Sequence, residues 1–182
     1  MSLEIQKHFF ETLKFPLSIS TIKFSSDKHL AGKQALSQTD YASHGYTSIT
    51  HSGNLAFAVS TPKNDDICGI GIDLEIDREL NTRTARMFLS PKELSELKNP
   101  SNEELLKLWT IKEAIFKSTP ENNGLFLRNF EIKNRDSQKG SAFCINNPEN
   151  EYVFSSLRID AGIISVAICT NRLKEQLAKS SI

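Results

Sequence analysis

Between Cys68 and Ile76 the chain alternates so regularly that an extended strand is the conformation that sorts it. Ile70, Ile72, Leu74 and Ile76 fall on one face, and Gly69, Gly71, Asp73 and Glu75 on the other, the period-two signature of a β-strand. The aliphatic face demands a core. The acidic face cannot be buried bare, because two unpaired carboxylates in a dry interior are very costly. It must meet solvent, cations or a metal. Carboxylates two apart on a strand suit a hard, oxygen-ligated cation such as magnesium or manganese, which keeps waters and takes further oxygens from a phosphate. Read alone, the spacing favours a plainer solution, an edge strand with a polar, solvated face. Gly69 and Gly71 leave that face open to close approach by a ligand or by another backbone.

A chain of 182 residues, 38% hydrophobic and 24% charged, has enough apolar material for one compact domain and carries no signature of wholesale disorder. Lys plus Arg and Asp plus Glu both number 22. This balance speaks against a nucleic-acid binder, which carries a basic excess or stripe. Cys68, Cys144 and Cys169 form neither a CxxC pair nor a zinc pattern and read as free thiols in a reducing compartment. Residues 1–20 lack the architecture of a secretory signal, and nothing approaches the length of a membrane span. The expectation is a cytoplasmic protein.

Along the chain, residues 1–11 suit a strand or a short helix. Ser26 and Asp27 can cap a helix over 28–38. Strand-like segments at 46–50 and 55–60 flank a turn at His51–Asn54. The middle is helical. A short helix is expected at 82–89, and Ser90, Pro91 and Glu93 form a start signal for another. A longer helix at 102–118 opens with Ser101 and Glu104 as a second capping box. Strands are expected again at 128–134, 141–145, 151–158 and 162–169, and a polar helix at 171–179. This order predicts an α+β fold in which a long helix packs across a mainly antiparallel sheet. No internal repeat or low-complexity segment stands out.

Two further places carry chemistry. On the long helix, Trp109, Glu113 and Lys117 are spaced by four and share a face, while Leu105, Leu108, Trp109 and Phe116 mark the buried side. Glu113 lies at the border, where it can enter a cleft on an anchored helix. Lys112 and Lys117 are long enough to reach a phosphate as point charges. A surface helix with an ordinary Glu–Lys pair explains the same spacing. His51, Ser52 and Gly53 form a turn motif whose imidazole and hydroxyl can hold a phosphate, or simply a capped turn. His8, His29 and His44 show no partner spacing and are assigned surface or packing roles.

Taken together, these segments resemble the 4′-phosphopantetheinyl transferase superfamily. Gly71-Ile72-Asp73-Leu74-Glu75 resembles its Gly-Ile-Asp-x-Glu metal strand. Trp109-Thr110-Ile111-Lys112-Glu113-Ala114, followed by Lys117, resembles its Trp-Ser-x-Lys-Glu-Ala/Ser-x-x-Lys helix. Thr50-His51-Ser52-Gly53 is similar to its Ser-His-Ser phosphate segment, and Phe88-Leu89-Ser90-Pro91-Lys92-Glu93 to the Phe-Phe-Ser-x-x-Glu link between motifs. The Asp-x-Glu form and the His-Ser turn resemble the larger, surfactin-synthetase-type branch, whose members are pseudo-symmetric monomers of two α+β halves. The resemblance therefore implies a pseudo-duplicated fold with a shortened N-terminal half. Over 1–182 it implies a single domain, split into an N-terminal sub-half at about 1–60, a C-terminal half with the metal motifs at about 61–170, and a tail at 171–182. A dimer that replaces the missing surface is the alternative to a monomer.

What the resemblance implies chemically is transfer of the 4′-phosphopantetheine arm of coenzyme A to a serine of an acyl or peptidyl carrier protein. Adenosine 3′,5′-bisphosphate leaves. Asp73, Glu75 and Glu113 would hold Mg²⁺ or Mn²⁺. Glu113, Lys117 and His51 would be catalytic, with Glu113 as the base. Lys28, Lys33, His51, Ser52, Lys112 and Lys117 would grip coenzyme A. Neither nucleic acid nor membrane is an expected partner. The alternatives are an inactive or altered relative that binds coenzyme A or a carrier, another metal-dependent phosphotransferase or hydrolase, and an interaction protein.

Overall fold

The computed structural model describes residues 2–133 and 138–171. The chain runs α1 (Ser2–Leu13), β1 (Ser18–Lys23), α2 (Lys28–Ser37), β2 (Tyr46–Ser52), β3 (Leu55–Thr61), β4 (Ile67–Glu75), α3 (Thr82–Phe88), α4 (Pro91–Glu96), α5 (Asn102–Ser118), β5 (Phe130–Lys133), β6 (Lys139–Cys144), β7 (Asn147–Ile159) and β8 (Gly162–Asn171). This is an α+β architecture with antiparallel sheets. No described helix is long and apolar enough to cross a membrane. The polar helix expected at 171–179 falls almost wholly outside the described residues.

The capping residues behave as their chemistry dictates. Asp27 accepts from the N–H groups of His29 and Leu30 and starts α2. Ser90 with Glu93 and Ser101 with Glu104 form reciprocal capping boxes at the starts of α4 and α5, satisfying donors that a helix start otherwise leaves open. Residues 2–13 are helical: Ile5, Phe9 and Leu13 line one buried side of α1, so helical spacing prevails over the strand alternative. β1 was not expected. Its sequence, Ser-Ile-Ser-Thr-Ile-Lys, has only two strong apolar residues, and pairing with β3 from Ser18↔Ser60 to Lys23↔Leu55 makes it a strand.

Two sheets result. The first has the order β1-β3-β2 and the second β4-β8-β7-β6-β5. In each, the opening strand pairs with the last strand of its group, and a helix follows the opening strand. α2 lies close to β2, where a Cβ on Gly32 would meet Ile49 Cγ2 at 2.8 Å.

Both faces of β4 are buried. Its aliphatic face, Ile70, Ile72 and Leu74, joins Ile5, Phe9, Ile19, Phe57, Val59, Ile164, Val166 and Ile168 in one core. The other face is covered by α5. A Cβ on Gly69 would run into the backbone of Ser118, and one on Gly71 into the carbonyl oxygen of Ala114, with Ser118 N only 2.7 Å away. The two glycines therefore accommodate another backbone, not a ligand. Removing two side chains lets α5 lie almost against the strand and fixes where its own side chains emerge. The far side of α5 packs into a second core with Phe88, Leu89, Phe130, Tyr152 and Phe154.

The free edge of β4 meets β2 through side chains. The N–H groups of Ile72, Leu74 and Ile76 donate to the hydroxyls of Ser48, Thr50 and Ser52 at 3.2, 3.3 and 3.1 Å. Every second residue of β2 thus supplies a rung, because period-two alternation puts these hydroxyls on one side of the strand. The seam joins the two sheets where no backbone ladder does.

Candidate functional site

The seam, the end of β4 and the middle of α5 converge on Asp73. The side chain is 5% exposed. Its Oδ1 accepts from Lys117 Nζ at 2.7 Å and from Thr50 Oγ1 at 3.2 Å. Its Oδ2 is buried and has no partner, a condition shared among the described side chains only by Thr21 Oγ1. Burial pushes the Asp73 carboxyl up to about 6. Lys117 opposes that rise, and the charges of Glu113 and Glu75 add to it.

Glu113 sits one turn before Lys117 on α5 and is half-buried. Burial raises its pKa, Lys117 and Arg78 pull it down, and Glu75 pushes it up. Glu75 Oε1 accepts from the Trp109 indole N–H at 2.9 Å and from Arg78 at 2.5 Å. The Arg78 guanidinium stacks over the Trp109 ring, 4.0 Å from its centroid, so the indole and the cation hold Glu75 together. The shared face of Trp109, Glu113 and Lys117 therefore runs past the acidic end of β4, because the Gly69–Gly71 contact places α5 there.

These carboxylates do not stand as a finished ligand set. Among the described residues, no group of three or more His, Cys, Asp or Glu side chains is close enough to hold a metal ion as it stands. Lys117 and Arg78 instead neutralise Asp73 and Glu75. The donor chemistry nonetheless fits a hard divalent cation. Three carboxylates feel one another's charge, all the donors are oxygens, and one carboxylate oxygen is buried without a partner.

The remaining expected residues divide. His51 and Ser52 are the last residues of β2, and the turn that follows is Gly53–Asn54, with Gly53 at φ +56°. The turn expected at His51–Asn54 is thus shorter, because pairing continues to Ser52↔Leu55. The Ser52 hydroxyl already accepts from Ile76 N–H. His51 lies 5.8 Å, centroid to centroid, from His29 on α2. Lys28 and Lys33 are exposed on the same helix. His29, assigned a surface or packing role from the sequence, thus lies beside His51 on the helix that carries Lys28 and Lys33.

Lys112 is placed elsewhere. It is 0% exposed, forms an ion pair with Glu93 at 2.7 Å and donates to the Phe130 carbonyl oxygen. Burial lowers its pKa, and Glu93 opposes that shift. One residue before Glu113, it points about 100° away around the helix, into the core behind α4. Reaching a phosphate would require breaking this pair, so its structural position is that of an anchor for α4 and β5.

Sequence reasoning passed over the contact of Thr50 with Asp73, Arg78 and a buried hydroxyl chain. Ser165 faces Asp73 directly across the β4–β8 pair. It lies 2.8 Å from Thr110 Oγ1 and donates to Ser156 at 3.0 Å. The β7–β8 register sets Ser156 opposite Ser165 and the packing of α5 brings in Thr110, and no spacing in the sequence signals either.

The family model described as the 4′-phosphopantetheinyl transferase superfamily matches residues 69–169, the span that holds Asp73, Glu75, Glu113 and Lys117. No curated protein matches the chain.

Proposed function

Since the chain belongs to the 4′-phosphopantetheinyl transferase superfamily, we propose that it transfers the 4′-phosphopantetheine arm of coenzyme A to a serine of an acyl or peptidyl carrier protein. The observation that carries this reading is the buried Asp73 carboxylate with one unpartnered oxygen, flanked by Lys117 and within the electrostatic reach of Glu113 and Glu75.

In the proposed reaction the carrier serine oxygen bonds to the β-phosphorus of coenzyme A. The bond from that phosphorus to the bridging oxygen breaks, and adenosine 3′,5′-bisphosphate leaves. A serine hydroxyl is a weak nucleophile and needs a base. Glu113 takes its proton, directly or through water, and a pKa raised by burial brings this carboxylate closer to the working pH. Lys117, which keeps its contact with Asp73, directs a remaining ammonium proton to phosphate oxygens and stabilises charge that grows towards the transition state. Asp73, Glu75 and Glu113 would hold Mg²⁺ or Mn²⁺, which supplies neutralisation of the pyrophosphate oxygens. His51, with Lys28 and Lys33 on the neighbouring helix and Ser52 at the end of β2, would hold the phosphates of the nucleotide end. Lys112 is left out of this set because it is buried against Glu93.

We also read the chain as two related halves, about 1–60 and 61–170, of the surfactin-synthetase-type branch. The matching strand orders β1-β3-β2 and β4-β8-β7 support this, as does a helix after each opening strand. The free cysteines and the proposed carrier substrates support a cytoplasmic location.

Intact-mass analysis of an apo carrier protein, incubated with this protein, coenzyme A and Mg²⁺, tests the reading. One added phosphopantetheine arm, abolished by chelator and by Glu113→Gln, is the expected result. No mass gain on several apo carriers, with the protein folded and coenzyme A bound, would instead identify an inactive relative.

A further inference from the structure

We propose that Thr50 is a positioning residue that sets the orientation of Asp73 for metal binding, an inference that rests on Asp73 being a metal ligand. A single hydroxyl makes two bonds. It accepts from Leu74 N–H at 3.3 Å and donates to Asp73 Oδ1 at 3.2 Å. Leu74 follows Asp73 in the chain, so the first bond fixes the hydroxyl against the backbone beside the carboxylate. The second uses the only proton the hydroxyl has to give. With Lys117 also on Oδ1, both donors converge on the same oxygen. Oδ2 is left buried and unpartnered. A carboxylate pinned through one oxygen presents the other with little rotational freedom, as residues behind metal ligands characteristically arrange.

Thr50 is itself buried, so its hydroxyl has no role at the surface. It lies on β2, outside the matched segment 69–169. The metal site of the C-terminal half thus depends on a residue of the N-terminal half, delivered through the seam. Ser48 and Ser52 make the same kind of rung with Ile72 and Ile76, and the Asp73 carboxylate accepts from neither. The seam therefore contains its own control.

The test is Mn²⁺ affinity, read by electron paramagnetic resonance of the full chain with coenzyme A present. Wild type is compared with Asp73→Asn, Thr50→Val, Thr50→Ser and Ser48→Ala, each first checked for folding by thermal melting. Thr50→Val is expected to weaken Mn²⁺ binding by about 10- to 100-fold. Thr50→Ser and Ser48→Ala should stay within about threefold of wild type, because one keeps the hydroxyl and the other removes a rung that does not touch the carboxylate. If Thr50→Val does not fold, Thr50→Ala takes its place. Wild-type affinity in the Thr50 variant, with binding lost in Asp73→Asn, would overturn the role of Thr50 alone. Equal weakening by Ser48→Ala would also overturn it, reducing the effect to general damage to the seam. Unchanged Mn²⁺ binding in Asp73→Asn would remove the metal reading itself, and this inference with it.

Discussion

Replacing Gly71 with alanine adds one methyl group where α5 lies closest to β4. The new Cβ would overlap the carbonyl oxygen of Ala114 and lie 2.7 Å from Ser118 N and 3.0 Å from Ala114 C. All three are backbone atoms of a 17-residue helix, so no side-chain rotation relieves the clash. The helix must withdraw by at least about 1 Å, and by about 1.5 Å at the Ala114 carbonyl oxygen, to restore ordinary separations of roughly 3.5 Å. Overpacking of this kind costs about 1–3 kcal/mol, and the rigidity of the obstacle places Gly71→Ala near the top of that range. For a chain of this size, about 3 kcal/mol lowers Tm by roughly 6–12 °C. The functional consequence comes from Ala114 being next to Glu113. A 1 Å withdrawal stretches the 2.7 Å Lys117–Asp73 contact beyond hydrogen-bonding range and moves Glu113 with it. Misplacement on that scale lowers turnover by about 100-fold. Calorimetry and the carrier-modification assay, run on one preparation, read both effects. An unchanged Tm with full turnover would refute the backbone contact between α5 and β4, and with it the explanation of how Glu113 reaches Asp73.

Lys112→Met should destabilise the fold by about 3–5 kcal/mol in urea denaturation, because it leaves Glu93 charged and buried without its cation. A loss in turnover without a loss in stability would return Lys112 to the site. Trp109→Phe keeps a ring beneath Arg78 but removes the indole donor to Glu75. We expect Mn²⁺ affinity to fall by about 10-fold or more with little change in Tm, and unchanged affinity would show that Arg78 alone orients Glu75. Burial lowers the pKa of His8 below its ordinary 6.5, so the unfolded chain takes up the proton first as pH falls. The folded state keeps its full margin above pH 6.5 and loses part of it as pH drops through 6.5 towards the lower folded value. Urea denaturation at pH 7.5 and 5 isolates this contribution as the difference between wild type and His8→Gln, because the raised carboxyl of Asp73 acts in the opposite sense over the same window. The change in stability on going to pH 5 should be less favourable in wild type than in His8→Gln. Equal changes in the two proteins would exclude a contribution from His8.

Several elements were legible because their signals are local. The alternation at β4, the two capping boxes and the four-residue spacing of Trp109, Glu113 and Lys117 depend on neighbours a few residues away, and those elements match their expected places closely. β1 was not legible, because its strand character comes from pairing with β3 across some forty residues and not from its own two isoleucines. Lys112 misled for a related reason. Its place in the motif suggested a phosphate ligand, but the direction of its side chain depends on where Glu93 and Phe130 are folded against α5. Thr50 drew attention only as the first residue of a phosphate motif, and its contact with Asp73 needs β2 laid beside β4.

The sequence by itself determined the residue types and their local geometry: two carboxylates on one strand face, a third on a helix face with a lysine one turn on, and two glycines ahead of the strand pair. Periodicity and capping are short-range properties, and a linear chain states them openly. Tertiary structure alone decided which groups meet. It spent the glycines on α5, turned Lys112 inward, closed the seam with hydroxyls, and left one oxygen of Asp73 without a partner. Those outcomes follow from sheet register and backbone proximity between segments far apart in the chain, which no local pattern encodes.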